Sequence, residues 1–323
     1  MSIISNCTAS VIKNAATSLI SGNLVGFPTE TVYGLGADAT NEEAVRRVYD
    51  VKARPVGHPL IVHISSVGNL NKWVRDIPEY AVTLARVFWP GPMTLILPRT
   101  DIAKDFITGG QDNVGVRVPS HTIALALLKE FEDQGGLGVA APSANRFGAV
   151  SPTTATAVEI ELSDFLSEND QILDGGPCSV GVESTIINCT QKTPLILRPG
   201  AITKKMLEDT LGITIDLNTS NSESIQIKAA GLLESHYAPK AKIFLTGSPT
   251  LGDGFIALES FTTPTGALRL ASPKTNEEYA QVLYEAFRLA DNKGLKRVFV
   301  IPPIGDGIAV AINDRLNKSA FEK

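Results

Sequence analysis

The sequence predicts a two-domain α/β protein, and three observations support this class. Strand-like and helix-like segments alternate through the first two hundred residues, which is typical of mixed α/β folds. The chain has 323 residues, enough for two domains of ~150 residues each. Hydrophobic residues make up 43% of it and charged residues 20%, so a packed core is expected and disorder along the whole chain is excluded. We expect a larger domain with a twisted, mixed α/β sheet, followed by a smaller α/β domain.

Hydrophobic periodicity predicts the elements of the larger domain in chain order. Apolar residues spaced three or four apart indicate helices, whereas short apolar or alternating runs indicate strands. The predicted helices cover residues 9–19, a segment capped by Asn41, and residues 80–88, 122–131 and 153–162. The predicted strands cover residues 24–27, 60–64, 94–97, 114–118, 137–141, 171–173, 184–188 and 195–197.

A change of composition after Gly200 predicts where the two domains meet. Residues 216–223 are polar and show no periodicity, as is typical of a linker. We place the larger domain at residues 1–205, the linker at 206–240 and the small domain at 241–323. The small domain alternates strands near 243–245, 254–258, 268–270 and 297–301 with helices near 276–292 and after Gly307. This order predicts a small parallel sheet.

Charge and cysteine content limit the function. Lys and Arg number 29 and Asp and Glu 34, for a net charge of −5, whereas nucleic-acid-binding domains typically have a pI above ~9. Direct nucleic-acid binding is therefore disfavoured, although a local basic pocket is compatible with this balance. The three cysteines form no C-x-x-C pair and His58 and His63 lack metal-ligand spacing, so neither a disulfide framework nor a zinc site is expected. A signal-peptide pattern and an apolar run of ~20 residues are absent, so we expect a cytoplasmic protein without a membrane span.

One glycine motif suggests a nicotinamide cofactor, but its context argues against it. Residues 34–39 fit the spacing G-x-G-x-x-A after a predicted strand and before a helix. A dinucleotide site also requires an acidic residue ~20 positions further on, at the end of the next strand. Residues 54–60 supply none. We therefore disfavour this interpretation.

Polar and basic residues follow several predicted strands, where open α/β sheets bind ligands. Residues 28–36 contain hydroxyls, a carboxylate and glycines, which suit either a substrate loop or a polar turn with a helix cap. Lys52 and Arg54 end a helix, where cations also complement the helix dipole. Arg117 lies opposite three valines on its strand and suits a carboxylate or a phosphate.

Later segments add hydroxyls and a further arginine. Residues 140–145 leave a strand end with Ser143 and Asn145, and Ser151 precedes Pro152 in the pattern of a helix N-cap. Residues 181–185 and Arg198 complete the set. These groups are cations and hydroxyls without a Cys–His or Ser–His–Asp arrangement, which favours polyanion binding and nucleotide chemistry over proton shuttling.

In this order, these segments resemble the threonylcarbamoyl-AMP synthase family, also called YrdC-like, in its two-domain form. The resemblance covers residues 8–205, and residues 236–239 resemble the segment that introduces the family's Rossmann-like second domain. The matching stretches are residues 28–36, 52–55, 59–63, 89–94, 116–119, 141–145, 151–153, 181–185 and 197–200. The family's linker usually carries a tyrosine where this chain has Glu234, so the resemblance implies either different contacts of a lid over ATP or a lower affinity for the nucleotide.

The resemblance implies a nucleotidyltransferase that joins L-threonine, bicarbonate and ATP into threonylcarbamoyl-AMP and releases pyrophosphate, with Mg²⁺ accompanying ATP. It implies that the product feeds a separate transferase complex, which modifies the adenosine beside the anticodon of certain tRNAs. The threonine site it implies consists of Thr29, His63, Arg117, Ala141 and Ser184. The ATP site it implies consists of Lys52, Arg54, Val56, Asn113, Ser143, Asn145, Ser151, Arg198 and His236. Lys52 and Arg54 would steady the phosphates during catalysis, and no metal-binding residues are implied.

Two other functions are open at the level of sequence. The same pocket could accept an RNA backbone, whose binding would weaken steeply with salt. A related carbamoyl-adenylate domain of hydrogenase maturation is a third possibility, but the zinc-finger and acylphosphatase segments of those proteins are absent here.

Overall fold

The computed structural model describes residues 4–217, 227–228 and 237–320. Its larger sheet is mixed and, within these residues, has eleven strands in the order β1-β8-β2-β3-β7-β4-β6-β5-β9-β10-β11. The strands are β1 (Ile4–Asn6), β2 (Val25–Phe27), β3 (Gly34–Asp38), β4 (Ile61–His63), β5 (Met93–Pro98), β6 (Asn113–Arg117), β7 (Val139–Ala140), β8 (Gln171–Asp174), β9 (Thr185–Asn188), β10 (Leu195–Arg198) and β11 (Asp216–Leu217). The predicted mixed α/β sheet is thereby confirmed.

Helices cover this sheet and bury their apolar residues against it. They are α1 (Ala9–Ile20), α2 (Glu42–Lys52), α3 (Leu70–Trp73), α4 (Glu79–Phe88), α5 (Asp105–Thr108), α6 (Thr122–Asp133), α7 (Ala155–Leu162) and α8 (Lys204–Leu211). The Asn41 side chain accepts from the Ala44 amide and caps α2, as predicted. Leu19, Leu127 and Phe131 of α1 and α6 belong to one buried cluster, and α2 and α4 contribute to a second, larger one.

The smaller sheet is wholly parallel, as predicted, with the strand order β12-β15-β13-β14. It consists of β12 (Lys242–Phe244), β13 (Gly254–Ile256), β14 (Leu268–Ala271) and β15 (Arg297–Val300), and it packs with α9 (Asn276–Asn292) and α10 (Ile308–Ala320). Val32, Val150 and Val182 of the larger domain belong to the same buried cluster as Tyr279 and Leu283 of α9. The two domains therefore share an apolar contact, which fixes α9 and α10 beside the larger sheet.

Two local predictions are wrong. Residues 34–38, interpreted as a loop between strand and helix, form strand β3, antiparallel to β2. A Cβ atom at Gly36 would lie 2.7 Å from Val139 Cγ1 and 2.9 Å from Phe27 Cε1, so this glycine permits close strand packing and does not bind a dinucleotide. Ser151 is also not a helix cap, because α7 begins at Ala155 and its N-cap is Thr154.

Several short elements were not predicted: β1, α3, α5, α8 and β11. Most have only two to four residues, too short for a hydrophobic period to show. In the described part of the chain, no helix combines the length and the apolar character that a membrane crossing requires.

Candidate active site

A cavity opens against the larger sheet, beside the last residues of β4, β6 and β10 and next to the segments that precede β3 and follow β7. It brings together all five residues of the expected threonine site and three of the expected ATP site. The predicted residues that line it are Thr29, Arg54, His63, Arg117, Ala141, Ser143, Ser184 and Arg198. Thr31, Glu183 and Tyr237 also line the cavity, although they were not predicted as site residues. The sheet therefore brings segments more than 160 residues apart in the chain to one place.

Arg117 is fixed on the floor of this cavity by contacts on three sides. Its Nη2 lies 2.7 Å from Glu30 Oε1, its Nη1 donates to Thr31 Oγ1 at 3.0 Å, and its Nε donates to the Gly91 carbonyl at 3.3 Å. The Arg117 and Glu30 side chains are only 5% and 6% exposed. An arginine has five N–H donors and these contacts use three, so two can bind an anion in the cavity.

His63 lies beside Arg117 because their strands are in register as parallel neighbours. Its ring packs edge-on against Phe27, with ring centroids 5.9 Å apart. Burial and the charge of Arg117 lower the pKa of His63 to about 3, so the imidazole is neutral near pH 7. Within the described residues its Nδ1 has no hydrogen-bond partner. A neutral ring with an unsatisfied nitrogen can accept or donate one hydrogen bond to a bound molecule.

Arg54 is a buried cation with few protein contacts. Its Nη2 donates to the Pro59 carbonyl at 3.1 Å, and its guanidinium lies 5.7 Å from the centre of the Phe147 ring. Its Nε lacks a hydrogen-bond partner among the residues described, which also supply it with no salt-bridge carboxylate. Burial lowers its pKa from the usual value. Because a buried charge without a counterion is unfavourable, this arrangement suits an anionic ligand.

Ser184 and Arg198 form a second polar group on the wall of the cavity. Arg198 donates to the Ser184 carbonyl from Nη2 at 2.9 Å and from Nε at 3.1 Å, and Nη2 also lies 3.2 Å from Ser184 Oγ. The Ser184 hydroxyl is 2.8 Å from Thr94 Oγ1. These contacts orient both a hydroxyl and a guanidinium toward the same space.

Lys52 does not line the cavity but supports the loop that does. This side chain at the end of α2 is 1% exposed, and its Nζ donates to the Ser143 carbonyl at 2.6 Å and to the Asn145 carbonyl. Burial, and secondarily the charge of Arg54, hold the pKa of Lys52 well below its usual value. Asn145 is buried and its Nδ2 donates to the Arg146 and Ala149 carbonyls. Lys52 and Asn145 therefore fix the loop that carries Ser143.

The remaining residues of the expected ATP site lie apart from the cavity lining. Val56 is 83% exposed and lines a different cavity, with Tyr49 and Phe106, and Asn113 lines a small separate cavity near Gln111. Ser151 is buried and donates to Glu183 Oε1 at 2.6 Å. His236 and Glu234 fall outside the described residues, so the predictions for the lid concern a part of the chain that the structure does not describe.

The structure also shows a buried network that was not predicted. Glu183, which lines the cavity, accepts from Arg315 Nε at 2.8 Å and from the Tyr284 hydroxyl at 3.0 Å. Arg315 lies on α10 and Tyr284 on α9, so the smaller domain reaches the wall of the site. The signal in the sequence was the position of Arg315 on the apolar face of its helix, three residues after Ile312 and seven after Ile308.

The fold and the site together define a two-domain α/β protein with an arginine-lined cavity beside its larger sheet. Two family models match this chain: the one described as "Telomere recombination" at residues 17–200, and the one described as "Threonylcarbamoyl-AMP synthase, C-terminal domain" at residues 202–321. The chain belongs to the threonylcarbamoyl-AMP synthase family, in its two-domain form. This confirms the resemblance and makes the chain a member of a family of ATP-using enzymes.

Proteins of similar sequence align with nearly the whole chain. It is 37% identical to the threonylcarbamoyl-AMP synthase of Pyrococcus abyssi, over 96% of this chain and 94% of that protein. It is 38% identical to the enzyme of the same name from Bacillus subtilis, over 96% of this chain and 92% of that protein. The crystal structure of P. abyssi Sua5 complexed with L-threonine superposes with a TM-score of 0.88 at 35% identity, covering 99% of this chain and 98% of that one.

Proposed function

We propose that this protein condenses L-threonine, bicarbonate and ATP into threonylcarbamoyl-AMP and pyrophosphate. The observation that supports the proposal is the convergence of Arg54, Arg117 and Arg198 on one cavity. All three reactants bring negative charge to this place. Fixed guanidinium groups offset that charge locally in a protein whose net charge is −5. The P. abyssi and B. subtilis relatives are named threonylcarbamoyl-AMP synthases, and the similar P. abyssi structure is a complex with L-threonine.

Threonine would bind at the inner end of the cavity. Two N–H donors of Arg117 are not used in its contacts with the protein, and they suit the two oxygens of a carboxylate. The Thr29 and Ser184 hydroxyls and the neutral His63 ring surround the same space and can bond the substrate hydroxyl and amine. Ala141 offers a small side chain there. The neutral state of His63 matters, because a second cation beside Arg117 would repel the substrate ammonium.

The nucleotide would lie toward Arg54 and Arg198. Arg54 has donors and charge without a carboxylate partner in the part of the chain that is described, so its guanidinium suits phosphate oxygens. Ser143 lies on the loop that Lys52 and Asn145 hold. We propose that Lys52 acts mainly by fixing this loop. Direct contacts of Val56, Asn113 and Ser151 with ATP stay predictions.

The proposed reaction has two steps. The threonine ammonium first releases a proton to solvent, and the free amine then attacks bicarbonate and forms a carbamate with loss of water. A carbamate oxygen then attacks the α-phosphorus of ATP in line, the bond to the β-phosphate oxygen breaks, and pyrophosphate leaves. The cationic side chains stabilise charge on the phosphates. Holding the reactants together can contribute ~7–11 kcal/mol to lowering the barrier, and we assign no side chain the role of a general base.

Magnesium would enter with ATP as part of the substrate. In the described ranges, no group of three or more His, Cys, Asp or Glu residues is placed so that it could hold a metal ion. Glu30 and Glu183, the two carboxylates at the cavity, are each paired with an arginine. These residues do not fit a resident magnesium site, so we propose that phosphate oxygens and water ligate the ion. The released product would be used by a separate transferase acting on tRNA.

Pyrophosphate release tests the proposal. Purified protein should release pyrophosphate only when ATP, Mg²⁺, L-threonine and bicarbonate are all present. Omission of each component in turn provides the control. Release at the same rate without threonine would contradict the proposed function.

A further inference from the structure

We propose that Arg315 of the smaller domain is a positioning residue for the active site: it neutralises Glu183 and thereby keeps Ser184 and Arg198 directed at the cavity. This inference rests on the proposed function and assigns a part in it to the smaller domain. It concerns the binding of substrates by the larger domain, to which α10 contributes no lining residue.

The contacts of Arg315 join two segments of the larger domain. Its Nε donates to Glu183 Oε2 at 2.8 Å, its Nη2 to the Glu183 carbonyl at 3.3 Å, and its Nη1 to the Pro199 carbonyl at 3.0 Å. Glu183 precedes Ser184 and Pro199 follows Arg198. One guanidinium thus holds both segments that carry the polar wall of the cavity.

Burial and its contacts hold this guanidinium in one position. The Arg315 side chain is 0% exposed, and the Glu183 side chain, 8% exposed, is bonded by Arg315, Ser151 and Tyr284. Asp314 also accepts from Arg315 Nη1 at 2.6 Å. Such a pair is costly to break, because the remaining partner is left as a buried charge without a counterion.

Charge balance explains what Arg315 does for Arg198. Glu183 lies next to Ser184, whose carbonyl accepts two bonds from Arg198. The charge of Arg198 also contributes to the low pKa of Glu183, so the two groups are within electrostatic reach. Without Arg315, the unpaired Glu183 carboxylate would attract Arg198 away from Ser184 and the cavity. Arg315 therefore sets the position of a predicted ATP-site residue from another domain.

A second interdomain ion pair provides a matched control. Arg288 of α9 lies 3.2 Å from Glu161 Oε2 of α7 and donates to the Val150 carbonyl, but it touches no residue that lines the cavity. Its side chain is 13% exposed. Arg288→Met removes an interdomain arginine of the same kind away from the site.

The test compares Arg315→Met, Arg288→Met and the double variant Glu183→Gln/Arg315→Met in the full chain. Steady-state KM and kcat for ATP and threonine are measured by pyrophosphate release, and the melting temperature by calorimetry. We expect Arg315→Met to raise KM by roughly tenfold or more, the scale seen when a group that orients a binding residue is lost. Arg288→Met should lower the melting temperature and leave both KM values within about twofold of the wild type. The double variant should recover most of the lost affinity.

Unchanged KM values in Arg315→Met, or an equal rise in Arg288→Met, would overturn the proposal and leave Arg315 a purely structural role. If Arg315→Met does not fold, the double variant, which removes both charges, is compared with the wild type. KM values close to those of the wild type support neutralisation of Glu183 as the role of Arg315, and KM values raised tenfold contradict it. Wild-type protein that makes no threonylcarbamoyl-AMP would refute the proposed function instead, so the two failures are distinguishable.

Discussion

Glu30 and Arg117 form a buried ion pair at the floor of the cavity, with 2.7 Å between Glu30 Oε1 and Arg117 Nη2. Glu30 Oε2 also accepts from the Ser120 amide at 3.1 Å, so the carboxylate is held from two sides. The pair fixes the guanidinium plane before a substrate arrives. Pre-positioned groups of this kind lower the cost of ordering the site on binding.

Arg117→Gln should abolish most of the threonine-dependent activity. The variant removes the donors for the substrate carboxylate and leaves Glu30 buried without a counterion, which costs about 3–5 kcal/mol of stability. Urea denaturation and pyrophosphate release measure the two effects. In Glu30→Gln/Arg117→Gln we expect stability to return and activity to stay low. Full activity in either variant would remove Arg117 from the site.

Lys52→Met should loosen the loop at residues 141–147. The substitution leaves the Ser143 and Asn145 carbonyls without their donor, and each such loss costs roughly 1–3 kcal/mol. Hydrogen exchange of the loop amides should accelerate and activity should fall. Lys129→Met, at an exposed lysine paired on its own helix, is the control and should change neither. Unaltered exchange in Lys52→Met would contradict the positioning role.

Stability should fall in acid through Glu183. Burial acts to raise the pKa of this carboxyl, but the charges of Arg315 and Arg198 outweigh it and lower the pKa from 4.5 to about 2. The folded state then binds the proton less tightly than the unfolded chain. The stabilisation is complete above about pH 4.5 and is lost as the pH falls toward 2.

Urea denaturation between pH 5 and pH 2.5 tests this assignment in the wild type and in Glu183→Gln. The wild type should lose free energy of unfolding faster with falling pH, by up to a few kcal/mol across the range. Identical slopes for the two proteins would show that Glu183 does not titrate as the structure requires.

His63 should stay neutral across the physiological range. Burial and the charge of Arg117 lower its pKa to about 3, so the imidazole resonances of His63 should not shift between pH 5 and pH 8. Two-dimensional NMR of histidine-labelled protein measures this, and His63→Asn identifies the resonance. A titration midpoint near 6.5 would place His63 in solvent and contradict the geometry of the threonine site.

Much of the site was predictable from the sequence because α/β sheets bind ligands with residues that lie next to strand ends. The alternation of valines around Arg117 indicated that its side chain lies on the face of the strand opposite the valines, which are buried in the core. Its ion pair with Glu30 was not predictable, because no local pattern relates residues 87 positions apart. The carbonyl partners of Lys52 were likewise outside reach, since backbone atoms carry no sequence signal.

The wrong predictions have physical causes. Gly34 and Gly36 match a turn motif by spacing alone, whereas their real role depends on Phe27 and Val139, which come together only in the sheet. Arg315 was overlooked because a charged residue in a helix is usually solvent-exposed. The sequence spacing placed Arg315 on an apolar helix face, but its partner could not be predicted because Glu183 lies in the other domain.

Mass spectrometry of the reaction product tests the central claim most directly: that one arginine-lined cavity condenses three reactants that each carry a negatively charged group. The protein is incubated with MgATP, L-threonine and ¹³C-bicarbonate, and the nucleotide products are separated. We predict threonylcarbamoyl-AMP that carries one ¹³C atom, formed in equal amount to pyrophosphate. Pyrophosphate accompanied by AMP alone, or a nucleotide product without the label, would contradict the account.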